Sequence, residues 1–248
     1  MGELIDVTMT ATVRPLVILR ALESFQNKVA SLNPDCSFRL VANIDDIGDI
    51  ENHTRADVVY KMQWFFKNQL LRLPEKFGFP SALKWCFENV ESEFFFNIED
   101  DWKFLKPIDL EKIFHFMHKN HDLAILRLPY RRADENQAKQ WNKFFPWNGE
   151  FFECPEELRP GLGFSGHPSL IRTAFIREIV KHLTEDSCPE KQIKGHNPVM
   201  RNILKRWRFG VFQKQSEGPY VEDIGREWRD KMNLKKNGSY GFSTWEPK

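Results

Sequence analysis

Three consecutive acids, Glu99-Asp100-Asp101, follow directly on the apolar run Phe94-Phe95-Phe96-Asn97-Ile98. Adjacent carboxylates repel one another, so their clustering suggests a cation nearby. Oxygen ligands suit Mg²⁺ or Mn²⁺, which can bridge to diphosphate oxygens. A solvated acidic turn at a strand end explains the triplet alone equally well. His115, His118 and His121 are three apart, but they lack a tetrahedral partner set and read as solvated.

The acids need an apolar strand to carry them, and Glu93 to Ile98 is short and apolar enough to be one. In open α/β sheets, ligands sit beyond the carboxyl ends of strands. Further strands are expected at Leu4 to Val13, Phe38 to Ile44, Asp57 to Tyr60, Leu123 to Leu128 and Gly210 to Gln215. Helices are expected from Pro15 to Val29, Pro80 to Val90, Ile108 to Lys119, Ser169 to Leu183 and Pro189 to Trp207. Strand and helix alternate through the first half. This predicts an α/β fold with a mostly parallel central sheet and helices on both faces. Tyr130 to Gly163 mixes charge, Trp, Phe and Pro and reads as an irregular excursion, too long for a simple connector.

The chain has 248 residues, and the absence of a convincing linker favours one domain. With 36 basic and 35 acidic side chains the net charge is +1, which argues against coating nucleic acid or an anionic membrane. Cys36, Cys86, Cys154 and Cys188 are scattered, with no CxxC pair, so neither a disulfide framework nor a zinc knuckle is signalled. Neither a secretory leader nor an apolar run of about 20 residues is visible. A cytoplasmic protein with no transmembrane segment is expected.

The strand-plus-acid motif resembles that of the GT-A glycosyltransferases, especially family 2-like and N-acetylglucosaminyltransferase-like members of bacterial or viral type. Their DxD motif follows an apolar strand. Val7-Thr8-Met9-Thr10-Ala11-Thr12-Val13-Arg14-Pro15 resembles their first strand and nucleotide-contacting turn. Leu22-Glu23-Ser24-Phe25 is similar to the end of their first helix, and Pro80 to Phe87 to the helix before the metal strand. Gly163-Phe164-Ser165-Gly166-His167-Pro168-Ser169-Leu170-Ile171 resembles their acceptor-side segment. The resemblance implies a single Rossmann-like domain over 1–248. Residues 1–128 would bind the nucleotide-sugar, and 129–248 would form the acceptor side and tail.

By this resemblance Asp101 contacts the metal, and Glu99 or Asp100 faces the ribose or donor sugar. Thr10, Thr12 and Arg14 approach the base and diphosphate, and Asp45 lies near the base edge. Asp45 also reads as a turn residue in Asp45-Asp46-Ile47-Gly48-Asp49. Asp223, in Val221-Glu222-Asp223-Ile224-Gly225, stands where relatives carry a metal-binding His. Arg226, Arg229 and Lys231 could neutralise the diphosphate, although a solvated tail fits them too. An inverting transfer needs a general base. The resemblance places it at the start of a late helix, where Glu190 is the first choice and Asp186 the second. Helix capping would favour acids there as well. Asp134 and Glu153 are the fallback bases.

The basic stretch Arg201 to Arg208 reads as a helix face beside a nucleotide-sugar site. Trp141, Phe144, Phe145, Trp147, Phe151 and Phe152 divide between stacking on sugar rings and core. The expected function is metal-dependent transfer of a hexose-type sugar from a nucleoside diphosphate to a glycan or other hydroxyl acceptor, with inversion and without nucleic acid. The alternatives are a nucleotidyltransferase, which would release pyrophosphate, and a non-catalytic sugar- or nucleic-acid-binding module, which would show no donor turnover.

Overall fold

The computed structural model describes residues 3–131, 145–162, 164–194, 196–213, 218–239 and 242–247. Strand β1 (Glu3–Val13) runs into helix α1 (Pro15–Lys28), whose first turn is set by Pro15. Strand β2 (Cys36–Gly48) pairs with it in parallel. The register slips between Thr12 and Val13, and Val13 then faces Gly48. Gly48 has φ +119°, and a Cβ there would lie 2.6 Å from the Val13 carbonyl oxygen. Only glycine fits this bulge without strain.

Helix α2 (Arg55–Phe65) replaces the strand expected at Asp57 to Tyr60. The Thr54 amide donates to Asp57 Oδ2 at 2.7 Å and the Thr54 hydroxyl at 3.0 Å. This side-chain-to-backbone link starts a helix that buries Val58 and Met62, one turn apart. A short edge strand not expected from the sequence, β3 (Asn68–Arg72), follows and pairs with β2. Next come α3 (Phe79–Glu88), β4 (Phe94–Glu99), β5 (Trp102–Phe104), α4 (Leu110–Lys119), β6 (Leu123–Arg127) and β7 (Tyr130–Arg131).

In the second half lie β8 (Phe152–Glu153), α5 (Arg159–Leu162), β9 (Ser169–Arg172) and α6 (Thr173–Ile179). The helix expected from Ser169 is therefore wrong over its first turn. Ser169 to Arg172 lies between β4 and β6, antiparallel to both. Its four residues are buried, and over so short a run periodicity cannot separate strand from helix. The helix expected over Pro189 to Trp207 is broken into α7 (Pro189–Gln192) and α8 (Pro198–Arg206). Pro198 lacks the N–H that a continuing helix needs, and Asn197 Oδ1 caps the new start by accepting from the Val199 amide at 2.8 Å. Strand β10 (Arg208–Val211) begins two residues before the expected one. Strand β11 (Val221–Asp223), helix α9 (Gly225–Lys231) and a hairpin of β12 (Leu234–Ser239) with β13 (Phe242–Pro247) close the described chain.

The main sheet has eight strands in the order β3-β2-β1-β4-β9-β6-β10-β8. It is mostly parallel; β9 and β8 run against their neighbours. Successive side chains of β4 point to opposite faces. Phe94 and Phe96 join the core under α1, α2 and α4, while Phe95 joins the core under α3, α6 and α8. Burying each ring contributes roughly 1.5–3 kcal/mol. Helices thus cover both faces, as expected. A second sheet, β5-β11-β7, ties the tail to the end of β4. All four cysteines are free thiols, and burial pushes Cys86 up to about 12, out of reach of ordinary chemistry. No helix among the described residues is long and apolar enough to cross a membrane.

Candidate functional site

Parallel pairing aligns the carboxyl ends of β1, β2 and β4. Thr10 stands opposite Glu99, and Thr12 opposite Asp45. The first strand, the base-edge candidate and the acid triplet therefore meet along one rim of the sheet.

Arg14 joins the second and third acids of the triplet, and the first reaches a different part of the chain. Asp100 is 3 % exposed. Its Oδ2 accepts from the Thr12 amide at 2.9 Å and the Thr12 hydroxyl at 3.1 Å, and its Oδ1 accepts from Arg14 Nη2. Burial pushes the Asp100 carboxyl up and the Asp101 charge adds to the push, while Arg14 and the Thr12 amide oppose them. Asp101 Oδ2 accepts from Arg14 Nη1 and Nη2, both at 3.3 Å. Arg14 also donates from Nε to Thr12 Oγ1 at 2.8 Å and is itself 3 % exposed. Burial works against its charge, but the two carboxylates outweigh it, so its pKa lies above the ordinary value.

Glu99 reaches the acceptor-side segment. Its Oε2 accepts from Trp102 Nε1 at 3.2 Å, and its Oε1 lies 2.3 Å from where a Cβ on Gly166 would sit. On the same glycine, the amide donates to Glu190 Oε1 at 2.7 Å. Asn97 Nδ2 donates to the Gly166 carbonyl at 3.3 Å. Glu99 and Glu190 thus converge on one peptide from residues far apart in the chain. Asp186 is not brought here: it is exposed and accepts from the Thr184 hydroxyl.

The tail meets the third acid. The Ile224 amide donates to the Asp101 carbonyl at 2.9 Å. The Gly225 amide donates to Asp223 Oδ1 at 2.9 Å, and a Cβ on Gly225 would lie 2.1 Å from Asp101 Oδ2. Asp101 and Asp223 therefore face the same glycine. Arg226 is exposed on α9 and Arg229 half-buried. Trp228 of the same helix packs on Arg14, 5.6 Å from its guanidinium carbon to the ring centre.

Asp45, 5 % exposed at the end of β2, accepts from Asn43 Nδ2 at 2.7 Å and the Gly78 amide at 3.1 Å. Burial pushes its carboxyl up against those two donors.

Other candidates fall elsewhere. His115, His118 and His121 are exposed. Glu153 is held in a fork by Arg208, with Nε at 2.6 Å from Oε1, and Arg206 pairs with Glu178 at 2.7 Å. The basic run is therefore partly neutralised by ion pairs. Phe145 and Phe151 are core, whereas Trp147 is 43 % exposed. Asp134, Trp141, Phe144 and Gly163 lie outside the described residues. Trp102, Asn97 and Gly225 join the site without having been candidates from the sequence. Trp102 directly follows the triplet, and Gly225 sits in the tail motif, so adjacency to a motif was the available signal.

Would a divalent cation fit? Asp101 and Asp223 supply hard oxygen donors that meet at Gly225, whose missing Cβ lets Asp101 Oδ2 pack against it. Among the described residues no group of three or more His, Cys, Asp or Glu assembles that could hold a metal by itself. Substrate phosphates would have to complete the shell, the usual pattern for Mg²⁺-type sites.

The sequence matches Glycosyl transferase family 2 over residues 7–182. The chain belongs to glycosyl transferase family 2. The matched span covers β1 through α6 and includes Asp45, the acid triplet and Gly166; Glu190 and Asp223 lie beyond it. Comparison with curated proteins finds no match. Among solved structures, S. aureus TarS 1–349 aligns with TM-score 0.59 and 16% identity, covering 92% of this chain and 63% of that one. The same protein in complex with UDP-GlcNAc aligns with TM-score 0.61 and 15% identity, covering 95% of this chain and 60% of that one. A Pyrobaculum calidifontis mannosyltransferase in complex with GDP-Man and Mn²⁺ aligns with TM-score 0.51 and 12% identity, over 92% of this chain and 60% of that one. These likenesses establish the GT-A fold. The family 2 chain described here spans less than two thirds of each of these structures.

Proposed function

We propose that this family 2 chain transfers a hexose-type sugar from a nucleoside diphosphate donor to a hydroxyl acceptor, inverting the anomeric centre. The observation that carries the reading is the convergence on Gly166. It brings Glu190, the candidate base, to the carboxylate that opens the acid triplet. Asp45 would face the base edge of the nucleotide. Thr10 and Thr12 would line the nucleotide side, with Glu99 toward the donor sugar. Asp101 and Asp223 would hold Mn²⁺ or Mg²⁺, which when bound stabilises negative charge on the diphosphate. Arg226 and Arg229 would add positive charge near it.

Glu190 takes the proton from the acceptor hydroxyl as its oxygen forms the bond to the anomeric carbon. The bond from that carbon to the diphosphate oxygen breaks with its electron pair, releasing nucleoside diphosphate. Its hydrogen bond from Gly166 leaves the second oxygen, Oε2, to act on the proton. Residues 1–128 would contribute the donor side, and 129–248 the acceptor side and tail.

The test is calorimetric binding of UDP and GDP with and without Mn²⁺, on wild type and Asp101→Asn. Mn²⁺-dependent binding that the variant loses with its fold intact supports the reading. Unchanged affinity in Mn²⁺ overturns the metal role. Release of pyrophosphate instead of nucleoside diphosphate would overturn sugar transfer in favour of nucleotidyl transfer.

A further inference from the structure

Arg14 occupies the atom on which the proposed metal site depends. Both Nη1 and Nη2 point at Asp101 Oδ2, each at 3.3 Å, and Nη2 also bonds Asp100 Oδ1. The contact is built from several sides. Nε is held by Thr12 Oγ1 at 2.8 Å, and Trp228 packs over the guanidinium. Gly225 leaves the room that lets Asp101 Oδ2 lie where it does. This interlock draws on the end of β1, the end of β4 and the start of α9, and Arg14 is almost wholly shielded from water. Two adjacent carboxylates, one of them deeply buried, need a compensating positive charge. Arg14 supplies it within the chain.

We propose that Arg14 is a resident counter-cation of the acid triplet, competing with a divalent cation for Asp101 Oδ2 and keeping the protein alone a weak metal binder. The proposal rests on the metal reading above. A guanidinium and a dication on one carboxylate oxygen repel each other, and in this shielded position water screens that repulsion less than on a surface. Metal therefore binds well only when further negative charge arrives, as a donor diphosphate brings. The pair Arg14–Asp100 survives such a change, because Asp100 keeps its own bonds to Arg14 and Thr12. Arg14 is thus a positioning residue that makes metal uptake depend on the nucleotide.

The experiment is titration of MnCl₂ into nucleotide-free protein, read by calorimetry and by the electron paramagnetic resonance signal of free Mn²⁺. Arg14→Gln removes the charge and is expected to tighten Mn²⁺ binding roughly tenfold or more. Nucleotide should then add less to Mn²⁺ affinity than it does in wild type. Equal or weaker Mn²⁺ affinity in a folded variant overturns the proposal. If Arg14→Gln leaves Asp100 too costly to bury and does not fold, Arg14→Gln/Asp100→Asn removes both charges and frees Asp101. That double variant is expected to bind Mn²⁺ more tightly than wild type, and no gain overturns the proposal. Failure of the underlying metal reading shows separately, as wild-type UDP and GDP binding that ignores Mn²⁺.

Discussion

Glu190 is held by the Gly166 amide at 2.7 Å. In Glu190→Gln the remaining carbonyl oxygen still accepts that bond, while the carboxylate proposed to accept the proton is gone. Turnover is expected to fall by roughly two to four orders of magnitude, with donor affinity and melting temperature nearly unchanged. A residue that only caps α7 would show the reverse. Asp186→Asn is the matched control: exposed and away from Gly166, it should keep wild-type turnover. Gly166 itself is a second test. An alanine Cβ would lie 2.3 Å from Glu99 Oε1. That oxygen ends a flexible side chain, so it would give way before the backbone does. Gly166→Ala is therefore expected to lower kcat while thermal stability holds. A large drop in melting temperature with kcat retained in the folded fraction would make Gly166 structural only.

At the scale of elements, the site depends on where helices stop. One helix is expected over Pro189 to Trp207, yet Pro198 and the Asn197 cap divide it. The short α7 leaves Glu190 near Gly166, while α8 packs Met200, Ile203 and Leu204 into the core. Asn197→Ala removes the hydrogen bond to the Val199 amide and should cost about 1 kcal/mol, in the range for lost N-caps. Chemical denaturation reads that loss, and turnover should stay within about twofold because Asn197 touches none of the site carboxylates. The strand β9 shows the opposite dependence. Its identity comes from the gap between β4 and β6 that it fills, not from its own four residues.

Across the whole molecule, the two ends of the sheet treat carboxylates differently. At the amino end of β1, Asp6 takes Arg39 in a fork, with bonds of 2.6 and 2.9 Å, and accepts the Ser92 amide at 3.0 Å. Burial opposes its ionisation, but Arg39 and the backbone amides outweigh it, so the folded-state pKa is lowered. The stability it contributes is present above the ordinary carboxylate pKa of about 3.9 and is lost as pH falls through the lower folded value. At the other end Asp45 and Asp100 have raised values. Their ionised forms oppose folding, and that cost grows as pH rises through the folded pKa. The rim that carries the acid triplet thus gives up stability that the far end supplies. Asp6→Asn is expected to destabilise the protein at neutral pH by roughly 3–5 kcal/mol, as a broken buried pair does. It should also flatten the acid limb of the stability curve below about pH 4. A pH titration of the melting temperature, on wild type and variant, checks both.

Local pattern sufficed for the first strand and helix, the apolar strand ending in Glu99-Asp100-Asp101, and the alternation that builds a mostly parallel sheet. Those features follow from side-chain period and from proline at a helix start, which act within a few residues. The strand expected at Asp57 to Tyr60 failed because the link from Thr54 to Asp57 starts a helix there. What tertiary structure alone decided is who sits beside each acid. Gly166 joins Glu99 to Glu190, Gly225 makes room for Asp101, and Arg14 turns inward to Asp100 and Asp101. Those choices depend on which strand ends lie together and how much water is excluded between them. Charge burial and backbone contact are properties of that packed arrangement, and no window of sequence contains them.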